Sequence, residues 1–298
     1  MTPLDQPSWD LLADLQLLLQ FQFMRNAFLV GTLVALLAGA IGYFVVLRGQ
    51  SFAAHMLSQV GFPGAAAGVL VHTSPVLGLI VFCAGAALGI GLRSRGVDAG
   101  RRSESAAVGS ILAFALALGL LFFRLYAGSA QGIYAFLFGS ILGITDRDVV
   151  VTALTTVAGL AVIAVIGRPL VFASVDPDAA EARGVPVRGI SVIFLILVAL
   201  SVAETVQVVG TLLVFALLVT PGAVAQQLTA RPWLGLALTV GLSLVFVFLG
   251  LAIAYFSLFP VGFVVTTLAF AAYAAVRGAR AVRAIAQLPR APALGPAA

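Results

Sequence analysis

The chain has 298 residues, of which 62% are hydrophobic and 9% charged, with a mean hydropathy of +1.15, which excludes a water-soluble domain and indicates an integral membrane protein. Its net charge of +5 comes with 16 basic residues that are all arginines, which excludes a P-loop ATPase site because that site needs a lysine on the nucleotide phosphates. The single cysteine, Cys83, excludes an intramolecular disulfide and a Cys-x-x-Cys metal site.

The N-terminal segment, residues 1–26, is amphipathic. Residues 11–24 show helical periodicity but carry an aspartate and three glutamines, which predicts an interfacial helix lying on the membrane. The segment lacks the basic stretch that begins a signal peptide and is acidic instead, so no cleavage is expected.

Nine later segments are long and apolar enough, or nearly so, to cross a membrane, since a span needs about 20 such residues. These segments are residues 27–47, 52–72, 75–92, 105–123, 149–166, 190–206, 208–228, 234–255 and 260–276. The predicted fold class is therefore all-α, a polytopic membrane protein of eight or nine transmembrane helices. The whole chain, residues 1–298, is predicted to form a single transmembrane domain.

The distribution of arginines predicts which loops lie on the cytoplasmic side. With nine spans and an outer N-terminus, 13 of the 16 arginines fall in inner loops or in the C-terminal tail, residues 277–298. Such asymmetry marks the cytoplasmic side, so the tail is predicted to be cytoplasmic. The basic residues thus follow the topology and do not predict a nucleic-acid partner.

The second span carries polar residues in an apolar stretch that ends in Gly-Phe-Pro-Gly. His55 and Gln59 are four residues apart, so a helix places them on one face, with Ser58 beside them. Polar groups in hydrocarbon usually face the interior of a bundle. The pattern predicts either a transport pathway or hydrogen-bonded packing between helices, and both interpretations are open.

An outer connection, residues 126–148, contains an apolar piece that is too short to span. Residues 133–144 are predicted to form a re-entrant or surface helix facing outward, which is tolerated where protein buries it. Asp146 and Asp148 follow it and are predicted to be loop carboxylates.

The inner connection, residues 167–189, is the long polar insertion of the chain. Asp176, Pro177 and Asp178 are typical of a helix start, while Arg183 and Gly184 are typical of a helix end. The pattern predicts a short amphipathic helix of about two turns at the cytoplasmic face. A charged loop is often only a solvated surface, but this position between two spans suits docking to a partner.

Glu204 is the only acid that the predicted spans leave near hydrocarbon. An intramembrane acid is a candidate for the transport pathway, and an interfacial acid that reaches the water is the alternative.

Seven short motifs follow one another along the chain: FMRNA (23–27), GYFVVLRGQSF (42–52), LSxxxxPGxAxG (57–68), FLFGSIL (136–142), VDPDAAEARGVPV (175–187), VVGTLLVFALLVTPGAVA (208–225) and FPVG (259–262). In this order and spacing they resemble the membrane permeases of the ABC-3 family, which serve importers of zinc, manganese or iron.

The resemblance implies a homodimer of permeases in the lipid of a bacterial cytoplasmic membrane. It also implies a separate cytoplasmic ABC ATPase that binds ATP, and an extracytoplasmic solute-binding protein. The permease itself would be no enzyme and would hold no cofactor. The coupling helix that inserts into the ATPase would comprise Asp176, Pro177, Asp178, Glu181, Arg183 and Gly184.

The chain departs from the family in its second span. Family members carry an aspartate followed by Leu-Ser-His; here His55 stands at the acid position and Gln59 at the histidine position, while Ser58 matches. Zinc accepts imidazole, whereas a hard cation would miss the carboxylate. The predicted substrate is therefore Zn²⁺ rather than Mn²⁺ or Fe²⁺, with His55 as a ligand.

Two other functions stay open: an ion-coupled secondary transporter, and an ABC permease for a non-metal substrate. An intramembrane enzyme is disfavoured because the chain has no HExxH, no GxSxG and no acid pair within a span.

Overall fold

The computed structural model describes residues 20–93, 101–125, 144–210, 214–257 and 259–286, and every element in these ranges is helical. In chain order the helices are α1 (Gln22–Leu47), α2 (Ser51–Leu70), α3 (Pro75–Arg93), α4 (Arg101–Leu125), α5 (Asp146–Val175), α6 (Pro177–Ala182), α7 (Val187–Val209), α8 (Val214–Leu218), α9 (Thr220–Leu228), α10 (Pro232–Phe256) and α11 (Val261–Ala286).

Five of these helices are long and apolar enough to cross a membrane: α1, α5, α7, α10 and α11. Shorter apolar stretches occupy Pro75–Gly89, Leu112–Leu125 and Val214–Leu228. The described residues confirm an all-helical membrane protein. They do not confirm the predicted count of eight or nine spans.

Helices α1 and α7 form the centre of the bundle. About 72% of the apolar window of α1 and 67% of that of α7 are buried, against 22–33% for the other three spanning helices. Helix α1 packs against α5, α7, α9 and α10, while α2 packs against α3, α4 and α7. The outer helices expose large apolar side chains, as a surface facing lipid requires.

Helices α1 and α5 run side by side in the same direction. Asn26 near the start of α1 donates to Asp146 at the start of α5 (2.7 Å). Arg48, directly after α1, donates to Ser174 in the last turn of α5 (3.5 Å) and to Ser191 in the first turn of α7 (2.7 Å). Helix α7 therefore runs back across the bundle. This arrangement agrees with an inner position for Arg48 and an outer position for Asp146.

Several predicted boundaries are wrong. Residues 167–175 are not loop but continue α5, although Pro169 lies inside the helix. A proline removes a single backbone donor, which a packed membrane helix tolerates. The inner connection therefore shortens to residues 176–186. Residues 22–26 likewise belong to α1, and residues 277–286 continue α11 into the predicted tail.

Three predicted segments fall on parts of the chain that lie outside the described residues. They are most of the interfacial helix (residues 11–19), the apolar piece of the outer connection (residues 133–143) and the end of the tail (residues 287–298).

The predicted span over residues 208–228 is broken. Helix α7 runs on to Val209, and the next described helices are the short α8 and α9. Pro221 lies in the first turn of α9, where its missing N–H costs nothing because the first residues of a helix have no intrahelical acceptor. The proline thus favours a new helix start rather than a continuous span.

Candidate functional site

The polar residues of α2 lie in its first turns, near the inner side. Ser58 is buried, and its hydroxyl donates to the backbone oxygen of His55 (2.7 Å). His55 and Gln59 are partly exposed, and neither side chain hydrogen-bonds to another described residue. The His55 ring packs edge-on against Phe215 of α8, with centroids 5.6 Å apart. Both side chains therefore keep their polar atoms available at the surface of this chain.

Glu204 lies in a different environment, in the outer part of α7. Its side chain is 0% exposed, so it does not reach water as an interfacial acid would. Its Oε1 lies 2.7 Å from the Thr155 hydroxyl of α5, while Oε2 has no hydrogen-bond partner among the described residues. Glu204 thus links α7 to α5.

The structure does not join these candidates into one site. Glu204 contacts α5, whereas the ring of His55 packs on α8. Among the described residues, no three histidine, cysteine, aspartate or glutamate side chains are grouped so that they could hold a metal ion. A metal site built from this chain alone is therefore absent from the described ranges.

Helix α6 begins where the sequence predicts. The Asp176 carboxylate accepts from the backbone N–H of Ala179 (2.9 Å), and Pro177 is the first residue of α6. Asp178 adds a second acid in the first turn, where negative charge complements the helix dipole.

The same helix ends in a closed turn. Gly184 has a φ of +81°, a left-handed conformation that glycine adopts without strain. Its N–H donates to the Glu181 oxygen (2.9 Å), and the N–H of Val185 donates to the Ala180 oxygen (3.0 Å). This pair of bonds is a Schellman motif. Helix α6 is therefore capped at both ends.

Helix α6 buries one side and exposes its charges. Ala180 is fully buried, whereas Asp178, Glu181 and Arg183 are exposed. The Arg183 guanidinium also lies over the ring of Phe172 in α5, 5.7 Å from its centroid. The helix is thus fixed to the bundle on one side and presents charge on the other.

Arg48 connects helices α5 and α7, a role that the sequence pattern did not predict. It lies half-buried between α1, α5 and α7, with its guanidinium 5.5 Å from the Phe194 ring centroid. Burial lowers the pKa of Arg48, but arginine keeps its charge in proteins. In the sequence Arg48 is only an isolated charge beside a glycine at the end of a span. Its two serine partners lie more than 120 residues away along the chain.

A second group of polar residues, which no sequence pattern brought together, lies at the end of the bundle opposite Arg48. Asp146 accepts from Asn26 (2.7 Å) and Gln22 (3.0 Å), and these residues line a cleft of about 320 Å³. Asp146 and Asp148 are not loop carboxylates, because both lie in the first turn of α5, where Thr145 and Asp148 form a capping box. A threonine followed three residues later by an acid was the signal for this helix start.

The arrangement is that of a membrane permease, in which a helical bundle surrounds two buried central helices and carries a capped, charged helix at one end. The chain belongs to the ABC 3 transport family, whose sequence profile matches residues 20–277. Members of this family are membrane-spanning transport subunits rather than catalytic enzymes.

Two relatives illustrate the similarity. The chain is 32% identical to the manganese transport system membrane protein MntC of Halalkalibacterium halodurans over 214 residues, which are 72% of each chain. It is 32% identical to the manganese import system permease protein ScaB of Streptococcus pneumoniae over 243 residues, which cover 79% of this chain and 83% of the relative.

The fold is also similar to a solved structure, that of PsaBC from Streptococcus pneumoniae in complex with Fab. The TM-score is 0.79 at 27% identity, over 89% of this chain and 94% of the other. The similarity supports the resemblance drawn from the motifs and extends it to the fold.

Proposed function

We propose that this chain is the membrane-spanning permease of an ATP-driven importer that carries a divalent transition-metal ion across a bacterial cytoplasmic membrane. Family membership supports the transport role, and the names of the two relatives support a metal substrate. The observation that carries the proposal is α6, a charged, doubly capped helix fixed to one end of the bundle.

A separate ABC ATPase supplies the energy in this proposal, and an extracytoplasmic binding protein delivers the ion. The chain has no lysine for a P-loop, which supports binding of ATP by another protein. The exposed Asp178, Glu181 and Arg183 offer that protein a charged contact surface.

The substrate we propose first is Zn²⁺. His55 supplies an imidazole and Gln59 an amide oxygen, where family members carry a carboxylate and an imidazole. Zinc binds imidazole well, whereas manganese favours carboxylate and carbonyl oxygens. Mn²⁺ is the second candidate, because both named relatives serve manganese transport.

The metal path in this proposal lies between two copies of the chain. The described residues hold no three-ligand cluster, and His55 and Gln59 are partly exposed without hydrogen-bond partners. Two copies of α2 facing each other would contribute two imidazoles, which zinc binds well, beside two amide oxygens.

Uptake of ⁶⁵Zn²⁺ and ⁵⁴Mn²⁺ by cells that express the complete transporter tests the proposal. Zinc should accumulate faster than manganese at equal concentration. His55→Ala should reduce zinc uptake by about tenfold or more, a typical loss when a group that supports metal binding is removed. Gln59→Ala should reduce it less.

The other histidine provides the matched control. His72 is exposed and has a φ of +57°, which asparagine tolerates, so His72→Asn should leave uptake unchanged. Preferential manganese uptake would establish the second candidate. Accumulation of neither metal would refute both zinc and manganese import, and uptake that survives ATP depletion while an ion gradient is kept would identify a secondary transporter.

A further inference from the structure

The turn between α1 and α2 is short and closed by its own hydrogen bonds. The N–H of Gly49 donates to the Val46 oxygen (3.1 Å) and that of Gln50 to the Val45 oxygen (2.9 Å), which is a Schellman motif. Gly49 has a φ of +65°, as this motif requires. Helix α2 then begins at Ser51. Arg48 is therefore fixed to the start of α2 by only two intervening residues.

The side chain of Arg48 bridges two other helices. The hydroxyl of Ser174 donates to the Leu170 oxygen and that of Ser191 to the Val187 oxygen (2.8 Å). Each serine has thus used its single proton on its own helix and can only accept from Arg48. The planar guanidinium of Arg48 donates to both hydroxyl oxygens at once, from separate nitrogens. No carboxylate among the described residues pairs with Arg48, so these hydroxyls and the Phe194 ring are its described partners.

The two serines stand on either side of α6. Ser174 lies two residues before the capping residue Asp176, and Ser191 lies in the first turn of α7. Because one residue joins α6 to α5 and four join it to α7, and Arg183 lies over Phe172 of α5, a displacement of α6 acts on both flanking helix ends. Arg48 holds these two ends.

The series of contacts continues along α2. His55 lies four residues after Ser51, about 6 Å along the helix at 1.5 Å per residue. Its ring packs on Phe215 of α8. Contacts therefore run from α6 through the serine pair and Arg48 into the first turns of α2, where the polar side chains lie.

We propose that Arg48 is a positioning residue that transmits displacement of α6 to His55 and Gln59 on α2. The inference rests on the proposed function, because it takes α6 to be the surface that the ATPase moves. A merely structural role, in which Arg48 holds the bundle together, is the alternative that the experiment must separate.

The experiment compares variants of the full transporter, with its own ATPase and binding protein, in Arg48→Ala, Arg48→Lys and Ser174→Ala/Ser191→Ala chains. It measures the amount of permease in the membrane, co-purification of the ATPase, ATP hydrolysis and uptake of Zn²⁺ and Mn²⁺. In Arg48→Ala, permease amount, ATPase association and hydrolysis should stay within about twofold, while metal imported per ATP falls about tenfold, within the usual range of coupling between sites.

The other variants test whether the contact between Arg48 and the two serines is responsible. Arg48→Lys should be intermediate, because an ammonium keeps the charge but lacks the planar fork. The double serine variant should resemble Arg48→Ala, and adding Arg48→Ala to it should cause no further loss, since the three residues act as one unit. Arg231→Ala is the matched control, because Arg231 is an exposed arginine before α10 with no side-chain partner among the described residues, and it should transport normally.

Wild-type import per ATP in Arg48→Ala would overturn the inference. So would parallel loss of membrane level, ATPase association and uptake, which assigns Arg48 a merely structural role. If the wild-type chain binds no ATPase, the proposed function fails instead. The Arg48 link is then tested in the purified permease by the distance between spin labels at Phe52→Cys and Glu181→Cys in a Cys83→Ser background. Arg48→Ala should broaden a narrow distribution; an unchanged distribution overturns the inference.

Discussion

Glu204 shows how one buried residue is accommodated. The Thr155 hydroxyl lies 2.7 Å from Glu204 Oε1, 2.9 Å from the Val151 oxygen and 3.0 Å from the Thr152 oxygen. A hydroxyl carries one proton, so the Thr155 hydroxyl shares it among these three acceptors. Its contact with Oε1 gives the buried carboxyl group of Glu204 a hydrogen-bond donor from α5. Its role in the transport pathway stays a prediction.

Glu204→Gln should therefore be tolerated and Glu204→Ala should not. The amide oxygen of glutamine can accept from the Thr155 hydroxyl as Glu204 Oε1 does. Alanine leaves a cavity between α5 and α7 and should lower the free energy of unfolding by about 3 kcal/mol. Denaturant unfolding of the purified protein in detergent measures both. Equal destabilisation by the two substitutions would contradict this, because the amide would then not replace the carboxyl group.

At the scale of elements, α6 packs against the bundle on one side and exposes charged side chains on the other. Its buried Ala180 and the contact between Arg183 and Phe172 fix it to the bundle, while Glu181 has no side-chain partner among the described residues. A charged side chain without an internal role is available to a partner. We therefore propose the short helix α6, rather than a long apolar helix, as the surface to which the ATPase docks.

Replacing Glu181 and Arg183 by alanine should weaken association with the ATPase by about fivefold and reduce uptake, because surface charges contribute modestly to such contacts. Co-purification from membranes over a range of salt concentrations measures the association. Arg280→Ala, an exposed charge on α11, is the control. Glu181→Ala alone keeps the Arg183 contact and should retain part of the effect. Unchanged association and uptake in the double variant would refute the docking assignment.

For the whole molecule, the contacts at the two ends of the bundle and the distribution of arginines together predict its orientation in the membrane. The Asn26–Asp146 contact brings the starts of α1 and α5 together, and the Arg48–Ser174 contact brings their ends together. Thirteen of 16 arginines fall on the side that holds Arg48 in the nine-span topology, which predicts that this side is cytoplasmic.

Cysteine labelling tests this orientation in a Cys83→Ser background. A membrane-impermeant maleimide should label Arg147→Cys at the start of α5 in intact cells, because this exposed position lies at the outer end. It should label Asp178→Cys on α6 only after the membrane is permeabilised. Labelling of position 178 in intact cells would place α6 outside and remove the basis of both proposals.

The sequence by itself determined the class of the protein and the local signals within it. Hydropathy reports which segments avoid water, so the all-helical membrane architecture was predictable. Caps act within a few residues, so Asp176 and Gly184 marked the ends of α6 correctly. Seven ordered motifs were enough to indicate the family that the profile over residues 20–277 then showed.

Only the tertiary structure decided which distant residues meet. Hydropathy predicted neither the continuation of α5 through Pro169 nor the break before Pro221, because packing sets how far a helix extends. Arg48 and Ser174 are 126 residues apart, and Glu204 and Thr155 are 49 apart. Such pairs form because helices pack in three dimensions, and no periodicity along the chain encodes a contact between two separate helices.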